Sequence, residues 1–326
     1  MAPAGALGDS FRAFFRSVDN FLSNLADVQL GSLFLALAAF TVYLTLRSRA
    51  SYNVLRAAYP DKEFQWRYIW GAYMAGYGFN SVIPARGGDV IRVFLTKTSV
   101  PGSSYPAVAA TFAVELIFDV VMGSLMLAFA FTQGAFPKPP DFSKIPAFDL
   151  QFFAGHPQFT LFFVTFLGVA TLLVFAVLSL RIQAFWRRVR QGLTILNDRR
   201  RYLREVFGVQ LGAWAFRFTA FWFMLEAFNV GASVKNVLLV LGVNAVGAAV
   251  PFTPQGAGVT QALLVKVFAG TAAGATVAAY SVGQQIAIAA LTFAIGFASL
   301  VFIFRVRSFR EVIERGRADR QAAPAA

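Results

Sequence analysis

Residues Tyr77–Arg92 read Y-G-F-N-S-V-I-P-A-R-G-G-D-V-I-R and place charges and helix breakers directly after an apolar run. Pro84 lacks a backbone N–H and disfavours helix at the residue before it, while the two glycines that follow permit left-handed turns. Asp89 can then cap a second helix that begins at Val90. The stretch therefore predicts a broken membrane helix, which is tolerated at membrane depth only where protein or water surrounds the irregular backbone.

Two cations accompany this break. Arg86 and Arg92 would face an anion together with the free N–H groups at the start of the second helix. We therefore predict a polar pocket at the break. The alternative is a cytoplasmic loop between two spans, in which the arginines serve as positive-inside anchors.

The composition is that of an integral membrane protein. The chain has 326 residues, of which 57% are hydrophobic and only 14% are charged, well below the roughly 25% of soluble domains. Its net charge of +13 comes mostly from basic residues that flank apolar segments, which is a topology signal rather than a nucleic-acid surface. With no cysteine and one histidine, most metal and nucleophile sites are excluded, and we expect no cofactor, metal or catalytic residue.

The apolar pattern divides the chain into three parts. Residues 1–28 are predicted to form an amphipathic helix in the membrane interface. A transmembrane domain follows at 29–304, with halves of about 29–132 and 205–304 joined by a connector, 133–204. The predicted spans are Gly31–Leu46, Ala107–Phe131, Phe159–Leu180, Phe207–Phe228 and Val277–Phe304.

Basic residues orient these spans. Arg47, Arg49 and Arg56 are predicted to lie in a cytoplasmic loop after the first span, and 305–326 form a basic cytoplasmic tail. The connector begins with a proline-rich outward loop and ends in an arginine-rich stretch that we expect to lie along anionic inner-leaflet lipids.

Each half contains a pair of short apolar segments. These segments, Tyr68–Ile83, Val90–Ser104, Val237–Val250 and a piece that ends at Phe268, are shorter than a bilayer crossing needs. The second pair breaks at P-F-T-P-Q-G-A-G, Pro251–Gly258, and a shift of 170 positions matches Pro84 with Pro254, Gly88 with Gly258 and Glu115 with Gln285. We therefore predict an all-α polytopic bundle with two re-entrant helical hairpins in inverted repeats.

Three ionisable residues lie deep in apolar spans. Glu115 and Asp119, on one helix face, each cost about 3 kcal/mol on insertion scales and so need partners. They either pair with Arg86, Arg92 or Arg217 and lock helices together, or orient Arg86 or Arg92 for a lipid phosphate or take up a proton during transport. For Arg217 we favour an ion pair with one of these carboxylates over a substrate phosphate.

The candidate site combines both breaks. The predicted substrate-binding residues are Asn80, Arg86, Asp89, Arg92, Glu115, Asp119 and Arg217, and those at the second broken-helix turn are Asn244, Thr253, Pro254, Gly256, Gly258 and Gln285. The second turn carries no charge, so it offers backbone N–H groups and the Thr253 hydroxyl.

Three motifs carry a family resemblance. N-x-x-x-P-x-R-x-G-D from Asn80 to Asp89, E-x-x-x-D from Glu115 to Asp119 and P-x-x-P-x-G-x-G from Pro251 to Gly258 resemble the lysylphosphatidylglycerol synthase transmembrane region family of flippase-like membrane proteins. The resemblance covers roughly Leu33–Phe304 and implies movement of a phospholipid or lipid-linked molecule between leaflets. The chain differs at Leu116, where the family often has arginine, and at Gln255 and Gln261 in the second motif, differences that concern the substrate more than the fold.

The expected function is that of a lipid transporter or flippase in the plasma (inner) membrane, with a cytoplasmic C-terminus and no enzymatic activity. Only 305–326 follow the last span, whereas lipid-aminoacylating relatives carry a large soluble domain there. The alternative is a non-catalytic partner subunit that positions a lipid-modifying or glycosyl-transferring enzyme. A membrane transferase with Glu115 and Asp119 as acid and base ranks third. The expected partners are the lipid substrate, anionic lipids, and either a second copy or a partner enzyme, but no nucleic acid.

Overall fold

The computed structural model describes residues 27–83, 87–133, 186–248, 259–270 and 272–305. Apart from one isolated bridge between Ala269 and Ala272, every regular element in these residues is helical. The α-helices are α1 (Leu30–Ala58), α2 (Trp66–Asn80), α3 (Gly87–Ser99), α4 (Tyr105–Thr132), α5 (Arg199–Ala227), α6 (Val234–Ala248), α7 (Val259–Val267) and α8 (Gly274–Phe302), and a 3₁₀ helix at Thr194–Asn197 precedes α5. Within α5, a first turn at Arg199–Tyr202 and a π-helical turn at Leu203–Phe207 lead into an α-helix at Gly208–Ala227.

The all-helical membrane fold is confirmed. Three of the described helices are long and apolar enough to cross a membrane: Leu30–Ala58, Tyr105–Ala130 and Gly274–Phe302. A fourth apolar helix, Val234–Gly247, is shorter than the roughly 20 residues that a crossing needs. The predicted span Phe207–Phe228 coincides with the main part of α5, which is not among these three.

The first helix is longer than predicted. α1 continues beyond Leu46 to Ala58, so Arg47, Arg49 and Arg56 lie on this helix and the predicted loop at that position was wrong. No proline or glycine interrupts the chain between Leu46 and Ala58, and the buried side chains of this stretch keep one helical face packed. Arg47 is itself buried, with 5% of its surface exposed.

α1 and α5 pack against each other in opposite directions and form the centre of the fold. At one end the backbone N–H of Gln29 donates to the carbonyl of Ala227 at 2.9 Å. At the other end Asn53 Nδ2 donates to the carbonyl of Glu205 at 2.7 Å. Between these contacts the largest hydrophobic core of the described residues joins α1 and α5 with parts of α2, α4, α6 and α8.

Two further antiparallel pairs flank this centre. α2 packs on α8 so closely that a Cβ at Gly78 would lie 2.3 Å from the carbonyl oxygen of Thr292, and one at Gly296 would lie 2.8 Å from that of Met74. α6 packs on α4 in a similar way, since a Cβ at Gly242 would lie 3.0 Å from the carbonyl oxygen of Met126. Glycine at these positions allows the helix backbones to approach one another.

Several helix ends meet on one side of the molecule, which we call the basic end. Gln191 Nε2 donates to the carbonyl of Ala58 at 3.2 Å, and Ser104 N donates to the hydroxyl of Tyr59 at 3.4 Å. Burial raises the pKa of Tyr59, so this anchor stays protonated at neutral pH. The described arginines that are exposed there include Arg187, Arg188, Arg190, Arg199, Arg200 and Arg204.

Several predictions lie outside the described residues. They are almost all of the interfacial helix at 1–28, the proline-rich loop, the span Phe159–Leu180, the tail beyond Arg305 and the turns at 84–86 and 249–258.

Candidate functional site

The α2–α3 hairpin is built on a close backbone approach. A Cβ at Gly88 would lie 2.1 Å from the carbonyl oxygen of Gly76, and a Cβ at Gly76 would lie 2.6 Å from the Cβ of Arg92. Only glycine permits this spacing without a shift of backbone. The two glycines therefore bring Arg92 on α3 directly against α2.

The predicted role of Asp89 as the cap of a helix beginning at Val90 was wrong. α3 already includes Gly87, and Asp89 lies within its first turn. Its Oδ1 accepts a hydrogen bond of 2.8 Å from Asn80 Nδ2, which ties the end of α2 to the start of α3. A carboxylate in a first helical turn is also favoured by the helix dipole. Arg86, the other predicted cation of this turn, lies outside the described residues.

Four charged side chains from three helices meet beside this hairpin, and we call them the charge cluster: Arg47, Arg92, Glu115 and Asp119. Arg47 Nη1 and Nη2 donate to the two carboxylate oxygens of Asp119 at 2.5 and 2.6 Å, a bidentate pair. Arg92 Nη2 donates to Glu115 Oε1 at 2.6 Å. Arg47 Nη2 also lies 3.8 Å from Glu115 Oε2, so the two pairs are joined.

Neutral groups complete the surroundings of both arginines. Arg47 Nε donates to the hydroxyl of Tyr73 at 3.1 Å, and its Nη1 donates to Gln210 Oε1 at 3.1 Å. Arg92 Nη2 also donates to Ser51 Oγ at 2.9 Å. The guanidinium carbon of Arg92 lies 4.1 Å from the ring centre of Tyr73 and 3.8 Å from that of Phe112, within cation–π distance.

The charge cluster is buried and electrically neutral. Glu115 and Arg47 expose 3% and 6% of their side chains and Arg92 exposes 13%, whereas Asp119 exposes 34%. Buried charges are tolerated when they are paired and when further hydrogen bonds satisfy their remaining donors. Two cations and two anions cancel here, so the cluster joins α1, α3 and α4 without leaving a net charge, and Asp119 is its most accessible member.

These contacts identify the arginine partner of each carboxylate. Glu115 pairs with Arg92, one of the arginines predicted for it, while Asp119 pairs with Arg47, which the sequence interpretation placed in a loop. The favoured ion pair of Arg217 with either carboxylate is not formed. In the described part of the chain the guanidinium of Arg217 instead lies near the rings of Trp214, Tyr43 and Phe221, at 4.8, 5.6 and 6.0 Å from their centres.

The second predicted turn is only partly described. Thr253, Pro254, Gly256 and Gly258 fall outside the described residues. Asn244 is half-buried on α6, and Gln285 on α8 accepts a hydrogen bond from Gln261 on α7. The described contacts of the charge cluster therefore come from the first half of the chain and from α5, and the Gln261–Gln285 pair joins α7 to α8.

Apolar spans around a buried, neutral charge cluster define an α-helical integral membrane protein. Comparison with known families is specific: residues 4–296 match the model of the family described as lysylphosphatidylglycerol synthase TM region, and the chain belongs to this family. The resemblance that the three motifs predicted is thus confirmed. Membership indicates a membrane protein in lipid modification or transport, and it leaves enzymatic activity open. No curated protein and no solved structure matches the chain.

Proposed function

We propose that this protein is a lipid transporter that moves a phospholipid or a lipid-linked molecule between the leaflets of the plasma (inner) membrane. The observation that carries the proposal is the charge cluster, which is buried where the spans α1 and α4 meet the short α2–α3 hairpin. Ionisable side chains within spans are costly and mark transport pathways or their gates. Transport sites commonly lie beside interrupted helices near the membrane midplane.

The two halves of the chain are inverted repeats in this proposal, and the helix bounds support it. A shift of 170 positions carries Leu30–Ala58 to 200–228, against α5 at Arg199–Ala227, and carries Tyr105–Thr132 to 275–302, against α8 at Gly274–Phe302. The packing agrees, because the shift exchanges the α2–α8 pair with the α6–α4 pair and relates α1 to its antiparallel partner α5. Equivalent helices that run in opposite directions are expected of inverted-topology repeats.

The short helices are re-entrant in this arrangement. α2 has 15 residues and α3 has 13, so each is about 20 Å long against a hydrocarbon core of about 30 Å. Both the start of α2 and the end of α3 lie at the basic end, where Tyr59 and Ser104 are in contact. The hairpin thus enters from that side and returns to it. α6 and α7 are the equivalent hairpin from the opposite side.

The basic end faces the cytoplasm in this proposal, because cytoplasmic segments carry an excess of arginine and lysine. Its exposed arginines suit anionic inner-leaflet lipids. The ring of Phe304 lies 6.1 Å from that of Tyr68 at the same end, which supports a cytoplasmic C-terminus. Transport would then proceed by rocking of the two halves about the α1–α5 contact, with the charge cluster holding one of the two states closed.

Leaflet exchange of labelled phospholipids in proteoliposomes tests the proposal. We expect the wild-type protein to accelerate exchange, and Glu115→Gln to lower its rate at least about tenfold, a loss equivalent to one charge-assisted contact of about 1.4 kcal/mol. Lys235→Gln is the control, because this exposed cation lies near the start of α6, away from the cluster and from the basic end. A well-folded wild-type protein that exchanges neither anionic nor zwitterionic phospholipid would contradict the proposal and favour a partner-subunit function.

A further inference from the structure

A row of unused hydrogen-bond donors runs along one face of α5. Gln210 Nε2, Trp214 Nε1 and Arg217 Nε are buried, and none of them has a hydrogen-bond partner in the described residues. Gln210 is 0% exposed and Trp214 is 6% exposed. The three residues are four and three positions apart, so they lie one above another on the helix. Buried polar groups are normally hydrogen-bonded, which makes three adjacent exceptions a sign of a missing acceptor.

The acceptor that fits this row is an anion. All three free groups are donors, and Gln210 cannot turn its amide because its Oε1 already accepts from Arg47. Arg217 adds a positive charge that no carboxylate in the described part of the chain balances, since Glu115 and Asp119 pair with Arg92 and Arg47. A ligand rich in acceptor oxygens and negatively charged would satisfy both requirements.

The proposed repeat accounts for the lack of a counter-ion of Arg217 among the described residues. Under the shift of 170 positions, Arg217 on α5 is equivalent to Arg47 on α1, but the residues equivalent to Glu115 and Asp119 are Gln285 and Ala289. The second half therefore keeps the arginine and lacks both carboxylates. In addition, α8 packs less extensively on α5 than α4 packs on α1.

The aromatic surroundings hold the guanidinium without occupying its N–H groups. Trp214, Tyr43 and Phe221 place their rings 4.8, 5.6 and 6.0 Å from the guanidinium carbon. A ring face attracts a cation, but it does not replace oxygen acceptors in the guanidinium plane. The side chain is only half-buried, so part of it is accessible. Guanidinium presents its donors in a planar fork that matches phosphate oxygens.

We propose that this face of α5 binds a phosphate ester, with Arg217 as the charge partner and Trp214 and Gln210 as further N–H donors. The phosphate is the headgroup phosphate of a phospholipid or a free phosphate of the same chemistry. The identification of this ligand with a transported lipid rests on the proposed function. The site itself does not, because binding is measurable without transport.

The test is a binding measurement on purified, delipidated protein by native mass spectrometry. Phosphatidylglycerol is the probe, and diacylglycerol with the same acyl chains is the control that lacks phosphate. We expect wild-type protein to bind phosphatidylglycerol at least about tenfold more tightly than diacylglycerol, and Arg217→Gln to lose this preference. Lys235→Gln, which removes an exposed cation near the start of α6 and away from the basic end, should keep it.

Two further variants separate the contributions of the positive charge, the planar guanidinium and the indole N–H to binding. Arg217→Lys should retain part of the preference because the charge remains while the planar fork is lost. Trp214→Phe keeps an aromatic ring and removes the N–H, so we expect a two- to fivefold weaker binding, about the value of a single hydrogen bond. Equal binding of both lipids by wild type, or full preference in folded Arg217→Gln, would overturn the proposal.

Additional measurements distinguish a free phosphate from a lipid headgroup as the ligand. They also distinguish failure of the proposed phosphate site from failure of the proposed transport function. Competition by inorganic phosphate or glycerol 3-phosphate at the lipid concentration would support a site for free phosphate, whereas lipid binding without such competition would support the headgroup. Phosphatidylglycerol binding that depends on Arg217 in a protein without leaflet exchange would sustain this site and reject transport. Leaflet exchange that is unchanged in Arg217→Gln, with unchanged lipid binding, would reject the site alone.

Discussion

Arg47 and Arg217 lie 170 residues apart, on the two antiparallel helices α1 and α5 at the centre of the fold, and the proposed repeat makes them equivalent. Arg47 donates four hydrogen bonds: two to the carboxylate of Asp119, one to the hydroxyl of Tyr73 and one to the side-chain oxygen of Gln210. Arg217 has aromatic rings around it and, in the described residues, neither a hydrogen bond nor an ion pair. The two arginines therefore differ in their surroundings: Arg47 is paired with a carboxylate, whereas Arg217, among the described residues, contacts aromatic rings.

The difference between the two arginines is the basis of the proposed ligand site on α5. Pairing makes Arg47 part of a neutral cluster that holds α1, α3 and α4 together. A guanidinium without a counter-ion in an apolar helix lowers stability, and Arg217 has none among the described residues, which is why we propose that a ligand pairs with it. Stability given up at functional positions is a general feature of proteins.

The largest effect is expected from Arg47→Met. This change removes a buried cation from the cluster, so that Asp119, 34% exposed, loses its partner and buried Glu115 keeps only Arg92; breaking a buried pair from one side costs about 3–5 kcal/mol. Thermal unfolding of the detergent-purified protein measures the loss. Arg49→Met is the matched control on the same helix: Arg49 is exposed and stacks near Tyr52 and Trp66 at 5.0 and 5.4 Å, so we expect a loss of only about 0.5–1 kcal/mol. Similar losses of stability in both variants would contradict the claim that the buried ion pairs of Arg47 stabilise the fold.

Gly78→Ala tests the α2–α8 packing that supports the repeat. Because its new Cβ would lie 2.3 Å from the carbonyl oxygen of Thr292, backbone must shift, and we expect a loss of about 1–3 kcal/mol in stability. Gly212→Ala is the control with the opposite sign, since nothing lies within 4 Å of its Cβ and alanine favours helix over glycine by about 0.5–1 kcal/mol. The same unfolding assay compares the two. A destabilised Gly212→Ala together with a neutral Gly78→Ala would contradict this packing.

Arg217→Met should stabilise the protein while it impairs ligand binding. Arg217 has no counter-ion among the described residues, so its removal recovers part of the roughly 3 kcal/mol that arginine costs at the centre of a span. Loss of the aromatic contacts reduces this gain to about 1–2 kcal/mol. The unfolding midpoint of Arg217→Met should therefore move upward, opposite to that of Arg47→Met. A clear decrease would mean that Arg217 has a structural partner, and the contrast between the two arginines would fail.

Helix positions could be predicted from the sequence because apolar runs and breakers report them directly. The last span, predicted at Val277–Phe304, is observed at Gly274–Phe302, and the piece predicted at Tyr68–Ile83 is observed at Trp66–Asn80. The remaining part of the site depended on tertiary packing. Asp119 could be recognised as needing a cation, but its partner is 72 residues away on another helix, and residue spacing does not specify which helices meet.

Arg47 was missed for a physical reason that the sequence does contain. A charge at the end of an apolar run was taken as the membrane boundary, although Tyr43, Arg47 and Ser51 continue one helical face and no helix breaker occurs before Pro60. Gln210 was missed because an isolated amide in an apolar segment carries little signal alone. Its importance comes from lying between Arg47 and the free donors of α5.

The smallest effect is expected at the basic end, from Arg201→Ala. Arg201 Nε donates to Glu205 Oε2 at 3.0 Å across one helical turn, with side chains that are 38% and 27% exposed. Water screens such a pair, so its loss should cost only about 0.3–0.5 kcal/mol. Because added salt screens exposed pairs much more than buried ones, the cost should shrink further between 0.1 and 1 M salt, roughly from a 10 Å to a 3 Å Debye length, while the cost of Arg47→Met should not. Equal salt dependence in the two variants would place Arg47 in contact with solvent, which would contradict its assignment to a buried cluster.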